Sequence, residues 1–262
     1  MRELLLIAIK ASIAAGEEIM DIYSDSFEVA LKSDNSPLTI ADKNANITIN
    51  SYLKKTAIPI ISEENKQTSY TIRKNWNTCW MVDPLDGTKE FIKKNNEFTV
   101  NIALINNNIP VLGVIYVPAS KTLYFAIVEE SKAYKCKLKT HKFTEAIFQN
   151  SLEITPKKEI NNEINIVGSR SHKSKETDVF IKNLETQNKK VVIVSKGSSL
   201  KFCLVAEGHA NIYPRFAPTM EWDTAAGHAI CKAVGLTVKQ VEKEIELTYN
   251  KENLLNPHFV VQ

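Results

Sequence analysis

Apolar positions in the opening stretch MRELLLIAIKASIAAGEEIMDIY recur every three or four residues, which predicts an amphipathic helix over 3–23. Residues 27–32 alternate as a strand does, and SDNSP at 33–37 makes a turn. A second helix follows over 42–54, and residues 58–62 form a short apolar strand that delivers Glu63 and Glu64 at its end. Residues 65–77 are polar and read as a mobile loop. Residues 79–82 are the end of an apolar strand that breaks at Asp83-Pro84, turns through Leu85-Asp86-Gly87 and restarts as a helix at Thr88. Two apolar, β-rich runs, 98–105 and 110–116, are joined by an asparagine-rich turn, and 123–128 and 131–135 continue the meander.

Between 143 and 160 the pattern is weak and polar, so the chain divides there into halves 1–150 and 151–262 of one compact unit. Beyond it strand and helix alternate. Strands are expected over 165–168, 191–195 and 210–213, helices over 176–185 and 221–234, and short strands up to Val261. Gly197 opens a further turn-to-helix junction, GSSLKFCLVAEG, and Arg215 lies beyond the 210–213 strand. The fold class is α/β, with an α+β first half and an α/β second half.

The 262 residues, 44% hydrophobic and 24% charged, are those of an ordinary globular protein. A net charge of +3 gives no footprint for nucleic acid. Four scattered cysteines form no CxxC pair and read as reduced, mostly buried thiols, and five histidines without ligand spacing argue against zinc. No run is long enough to span a membrane, and Lys10, Glu17, Glu18 and Asp21 disqualify the first helix as a signal peptide. The expected location is cytoplasmic, at most peripheral to the inner membrane. Oligomeric state is not legible.

The chemistry concentrates in MVDPLDGTKEF, residues 81–91. Pro84 and Gly87 make a rigid corner that aims Asp83 and Asp86 at one point. Converging carboxylates repel unless a hard cation sits between them, and the Gly87 and Thr88 amides at a helix start suit an anion. Taken singly, each acid has a bland reading. DPLDG is ordinary turn chemistry, Glu63-Glu64 a charged strand end, and Asp42 and Asp223 first-turn helix acids. What the bland readings do not explain is so many acids at strand–helix junctions, which line one edge of an α/β sheet. Metal-assisted phosphoryl chemistry is the reading that does.

The ordered set SEE, DPLDGTKEF and WDTAAGH resembles the inositol monophosphatase superfamily of Mg²⁺-dependent, lithium-sensitive phosphatases. The segments DNSPLT, DPLDGTKEFIK, EFTVNIALI, SRSH, GSSLKFCLVAEG, YPRF and WDTAAGHA are similar to its bisphosphate nucleotidase branch, collinearly from about Asp34 onward. The resemblance implies a five-layer αβαβα sugar-phosphatase fold. It implies that Glu63, Asp83, the Leu85 carbonyl, Asp86 and Asp223 bind two Mg²⁺ ions, with a third near Glu63. Glu63 and Thr88 would position the attacking water, with Thr88 oriented by Asp42. Gly87 and Thr88 would hold phosphoryl oxygens.

Specificity would reside in the second half. Lys201 and Arg215 would meet a second phosphate, with Ser198 and Ser199 as donors, and His172 would face the base or ribose; Asp223 would also touch substrate. The implied reaction is hydrolysis of 3′-phosphoadenosine 5′-phosphate to AMP and phosphate, with some action on the phosphosulfate form. An inositol or sugar monophosphatase, and a catalytically idle Mg²⁺- or nucleotide-binding regulator, stand as alternatives.

Overall fold

The computed structural model describes residues 1–23, 29–31, 37–157, 163–169, 175–186 and 190–262. The chain starts with α1, Arg2–Tyr23, a small hairpin of β1, Val29–Leu31, and β2, Pro37–Thr39, and α2, Ile40–Leu53. Then come β3, Ile60–Ser62, the short α3, Tyr70–Arg73, β4, Thr78–Asp86, and the short α4, Thr88–Ile92. The meander follows: β5, Thr99–Asn106, β6, Ile109–Val117, β7, Thr122–Ile127, and β8, Lys132–Lys137. A one-turn α5, Ala146–Gln149, leads to β9, Leu152–Ile154. The remainder is β10, Glu163–Ser169, α6, Lys175–Glu185, β11, Lys190–Lys196, α7, Leu200–Ala206, β12, Tyr213–Arg215, α8, Glu221–Ala233, β13, Val238–Gln240, and β14, Phe259–Val261.

Strands β3 to β9 form one seven-stranded sheet in chain order, antiparallel except for the parallel β3–β4 pair. Its strands are apolar on both faces because both are covered. One face packs against α1 and α2 through Trp80, Val82, Ile102 and Leu104; the other, carrying Met81, Ala103 and Ile115, packs against α7 and α8. At Gly113 on β6 the backbone of α8 comes so close that a Cβ would lie 2.4 Å from the Ala226 carbonyl oxygen. Beyond α7 and α8 lie the parallel β10–β11 pair, bridged to Ile212, and the antiparallel β12-β14-β13 sheet. Helix α6 covers that layer, with Phe180, Ile181 and Leu184 on Ile164 and Ile166. The result is five layers, αβαβα.

Three expectations change. Strand β4 does not end at Asp83 but runs on to Asp86 through a bulge. The 65–77 stretch contains α3, and its Arg73 is buried and bonded across the molecule, so it is anchored. The strand expected at 210–213 lies at Tyr213–Arg215, with Ile212 contributing a single bridge, so Arg215 ends the strand rather than lying beyond it. The weakly patterned stretch after 143 contains α5 and the edge strand β9. All four cysteines are free and buried. Among the described residues no helix is long and apolar enough to cross a membrane, and no feature of them supports association with the inner membrane.

Candidate active site

In a regular strand, residues three apart face opposite sides of the sheet. Asp83 and Asp86 escape this because β4 holds one extra residue there: Asp83 pairs with Asn101 and Asp86 with Thr99, partners only two apart on β5. Pro84, which has no N–H to give the ladder, sits in that bulge. Both acids thus reach the face covered by α8. The parallel register Ser62↔Val82 puts Glu63 directly beside Asp83, and the Glu63 amide donates to the Val82 carbonyl at 3.2 Å. Asp223 comes from the first turn of α8, and Asp42 from the first turn of α2, where it is buried.

These acids converge. Burial pushes the Asp83 carboxyl well above the usual carboxylate range, and the charges of Glu63, Asp86, Asp223 and Asp42 push it further. Asp223 is raised by burial and by Asp86 and Glu63; Asp86 is raised by burial, with Lys201 opposing. Backbone amides hold one oxygen of each: Leu85 N–H to Asp83 Oδ1 at 3.0 Å, Ser199 N–H to Asp86 Oδ2 at 2.6 Å, Met220 N–H to Asp223 Oδ2 at 2.8 Å. Thr88 Oγ1 donates to the Leu85 carbonyl at 3.3 Å. Gly87 adopts φ +93°, and a Cβ there would lie 3.2 Å from the Glu97 carbonyl oxygen.

Two of the acids, Asp86 and Asp223, line a cleft together with Gly87, Ser198, Lys201, Tyr213 and Arg215. Lys201 is buried; the loss of hydration brings its ammonium down to about 8 even though Asp86 favours the charged form. Its Nζ donates to the Ser198 carbonyl. Arg215 Nη2 donates to the Pro218 carbonyl at 3.1 Å, while its buried Nε has no hydrogen-bond partner among the described residues. An unpaired buried guanidinium N–H is costly to leave unmade, and a phosphate oxygen would satisfy it.

The structure brings Glu63, Asp83, Asp86, Asp223 and Asp42 to one place, with Gly87 and Thr88 alongside and Lys201, Arg215 and Ser198 on the cleft wall. Ser199 borders the cleft, but its hydroxyl turns inward to Thr99 Oγ1 and Asn101 Oδ1, both 2.7 Å away. His172 lies outside the described residues. Sequence reasoning gave no role to Thr99, Asn101 or Tyr213. Thr99 and Asn101 left a signal, two polar residues at alternate positions of an otherwise apolar strand.

The fit to a metal can be judged from the donors. All are oxygens, as a hard divalent cation requires, and their mutual repulsion is what such a cation would relieve. Among the described residues no three acid, histidine or cysteine side chains close into a ready-made cage. The acids are near enough to repel one another without closing into such a cage.

A family model described as "Inositol monophosphatase family" matches residues 1–259. The chain belongs to the inositol monophosphatase family. A relative in Salmonella typhimurium named 3′(2′),5′-bisphosphate nucleotidase CysQ is 43% identical over 252 residues, 94% of each chain. The crystal structure of CysQ from Bacteroides thetaiotaomicron, described as a bacterial member of the family, superposes with a TM-score of 0.90 at 49% identity, covering 100% of this chain and 97% of that one. The extragenic suppressor protein suhB of Bartonella henselae shares the fold at a TM-score of 0.76 and 21% identity, over 99% and 93% of the two chains. The family's fold thus extends from end to end of this chain.

Proposed function

We propose that this chain is a Mg²⁺-dependent 3′(2′),5′-bisphosphate nucleotidase that removes the 3′-phosphate of 3′-phosphoadenosine 5′-phosphate, giving AMP and phosphate, and that it also takes the phosphosulfate form. The observation that carries the reading is the adjacency of two opposite sites: an acid cluster around Asp83 and a cleft wall bearing Lys201 and Arg215. A phosphomonoester with a single phosphate needs only the first. A bisphosphate uses both. The nucleotidases to which the chain is 43% identical carry this activity in their name.

Glu63, Asp83, Asp86, Asp223 and the Leu85 carbonyl would hold two Mg²⁺ ions, and a third would bind near Glu63. Bound there, Mg²⁺ supplies charge neutralisation and Lewis-acid polarisation of phosphate and water. The side chains do the rest. Asp83, pressed by four other carboxylates, would gain most from the charge that Mg²⁺ supplies. The Thr88 hydroxyl gives its proton to the Leu85 carbonyl, which leaves its lone pairs to accept from the attacking water that Glu63 and Thr88 would position. Asp42, buried in the first turn of α2, adds its charge to the cluster; the Thr88 hydroxyl that it was expected to orient donates to the Leu85 carbonyl. The Gly87 and Thr88 amides hold phosphoryl oxygens, and Gly87 keeps its positive φ free of a side chain. Lys201, Arg215 and Ser198 bind the second phosphate, while Ser199 acts through its amide on Asp86. His172 would meet the base or ribose. Most metal ligands then belong to residues 1–150 and specificity to 151–262.

Phosphate release from 3′-phosphoadenosine 5′-phosphate and from an inositol monophosphate, each with Mg²⁺ and with EDTA, tests the reading. The bisphosphate is expected to be the better substrate, and Lys201→Ala should lower its kcat/KM far more than that of the monophosphate. Equal losses on both would remove Lys201 from the second-phosphate site. No turnover of either with Mg²⁺ would sink the enzyme.

A further inference from the structure

The metal ligands come from two distant parts of the chain. Glu63 and Asp83 lie on neighbouring strands, but Asp223 opens α8, 140 residues after Asp83 in the sequence. The β3–β4 register fixes Glu63 beside Asp83, whereas Asp223 is carried in on the first turn of α8. Helix α8 packs on β4, β5 and β6, and a second connection ties its start to the segment between β3 and β4.

Arg73 makes that connection. It sits on the segment that leaves Glu63 and returns as β4, and it is 4% exposed. Its Nη1 donates to Asn250 Oδ1 at 2.9 Å and to the Lys251 carbonyl at 2.6 Å, and its Nη2 to the Glu252 carbonyl at 2.8 Å. Asn250 Nδ2 answers by donating to the Arg73 carbonyl at 2.7 Å. The segment so gripped in turn grips the start of α8. Glu221, fully buried, accepts from the Asn250 amide at 2.5 Å, the Lys251 amide at 3.1 Å and Lys251 Nζ at 2.5 Å. Six residues on, Asn256 Nδ2 donates to the Met220 carbonyl at 2.8 Å and to Thr224 Oγ1 at 3.0 Å. Met220 is the residue whose amide holds Asp223 Oδ2. On the other side of Arg73, Nε donates to the Thr68 carbonyl at 3.2 Å, and Gln67 Nε2 donates to the carbonyl of Ser62, next to Glu63, at 2.7 Å.

We propose that Arg73, with Asn250 and Glu221, is a positioning latch that sets Glu63 and Asp223 at a common distance for Mg²⁺, so that metal affinity depends on a residue that touches neither metal nor substrate. The inference rests on the Mg²⁺ reading given above. A guanidinium suits the task, because its rigid fork bonds several acceptors in one plane. Lysine offers one point charge and would hold the segment only partly.

The test compares wild type with Arg73→Ala, Arg73→Lys and Asn250→Ala, each as the full chain at a temperature where it is folded by circular dichroism. Mg²⁺ binding is read directly by calorimetry without substrate, and Mg²⁺ activation by phosphate release. Partners behind metal ligands typically matter roughly 10–100-fold in affinity, so Arg73→Ala should weaken Mg²⁺ by about tenfold or more. Arg73→Lys should fall between, and KM for the bisphosphate at saturating Mg²⁺ should stay within about twofold. Ile147→Ala, in the core on the opposite face of the sheet, supplies a comparison that loses stability alone and should leave Mg²⁺ affinity unchanged. If Arg73→Ala does not fold, Asn250→Ala carries the test, since it leaves the bonds to the Lys251 and Glu252 carbonyls. Latch variants that melt earlier yet bind Mg²⁺ as wild type does would overturn the latch and leave the proposed function standing. A wild type that binds no Mg²⁺ would overturn both.

Discussion

Asp83 is buried where its charge costs most, inside the sheet face and among four other carboxylates. Its folded-state pKa therefore lies above the unfolded value of 3.8. In Mg²⁺-free protein the folded state binds more protons than the unfolded one between those two values. This group's relief is fully present below 3.8 and is lost as pH rises through the folded value. Asp83→Asn removes the dependence. In EDTA the variant should melt above wild type at neutral pH, and the gap should shrink as pH falls toward 4; a wild type that is the more stable at pH 7 would contradict the repulsion. With Mg²⁺ the same change would remove a proposed ligand that a neutral amide does not replace. Activity should then fall by more than the roughly 10–100-fold that changes behind a ligand produce. Retention of a tenth of the wild-type rate would deny Asp83 its central place.

At the scale of elements, the site depends on how closely α8 lies on the meander. A Cβ at Gly113 would meet the Ala226 carbonyl at 2.4 Å and Ala229 Cβ at 2.8 Å, a contact with backbone that cannot swing aside. Gly113→Ala should cost about 1–3 kcal/mol as overpacking, or about 2–4 °C of melting temperature per kcal/mol, and should displace Asp223 with the helix. A thermal shift assay reads the first and Mg²⁺ half-saturation the second; a variant unchanged in both would mean that α8 sits further away than described. The helices, the meander and the second half's alternation were legible because their apolar periods are long and strong. The bulge at Pro84 was not, since a proline beside an acid reads as a break, and only pairing with β5 reveals one extra residue. Segment 65–77 misled for a related reason. Its order comes from Arg73 bonding residues 250–252, and polar composition carries no trace of a partner 177 residues away.

Across the whole molecule, the acids proposed to bind metal were legible as types and positions because each falls where the apolar pattern breaks or a helix begins. Their convergence was not, because it needs β3 parallel to β4, the bulge, and α8 laid across the sheet. The resemblance to the inositol monophosphatase family supplied that convergence before any coordinates did, and the match over residues 1–259 agrees with it. What remains physical is the claim that distant carboxylates form one site whose repulsion Mg²⁺ relieves. Titrating wild type and Asp83→Asn with Mg²⁺ in a calorimeter, in two buffers of different ionisation enthalpy, measures this directly. Wild type should bind Mg²⁺ and release protons as the raised carboxyls ionise, and Asp83→Asn should lose most of both signals. Mg²⁺ uptake that is absent, or the same in both proteins, would contradict it.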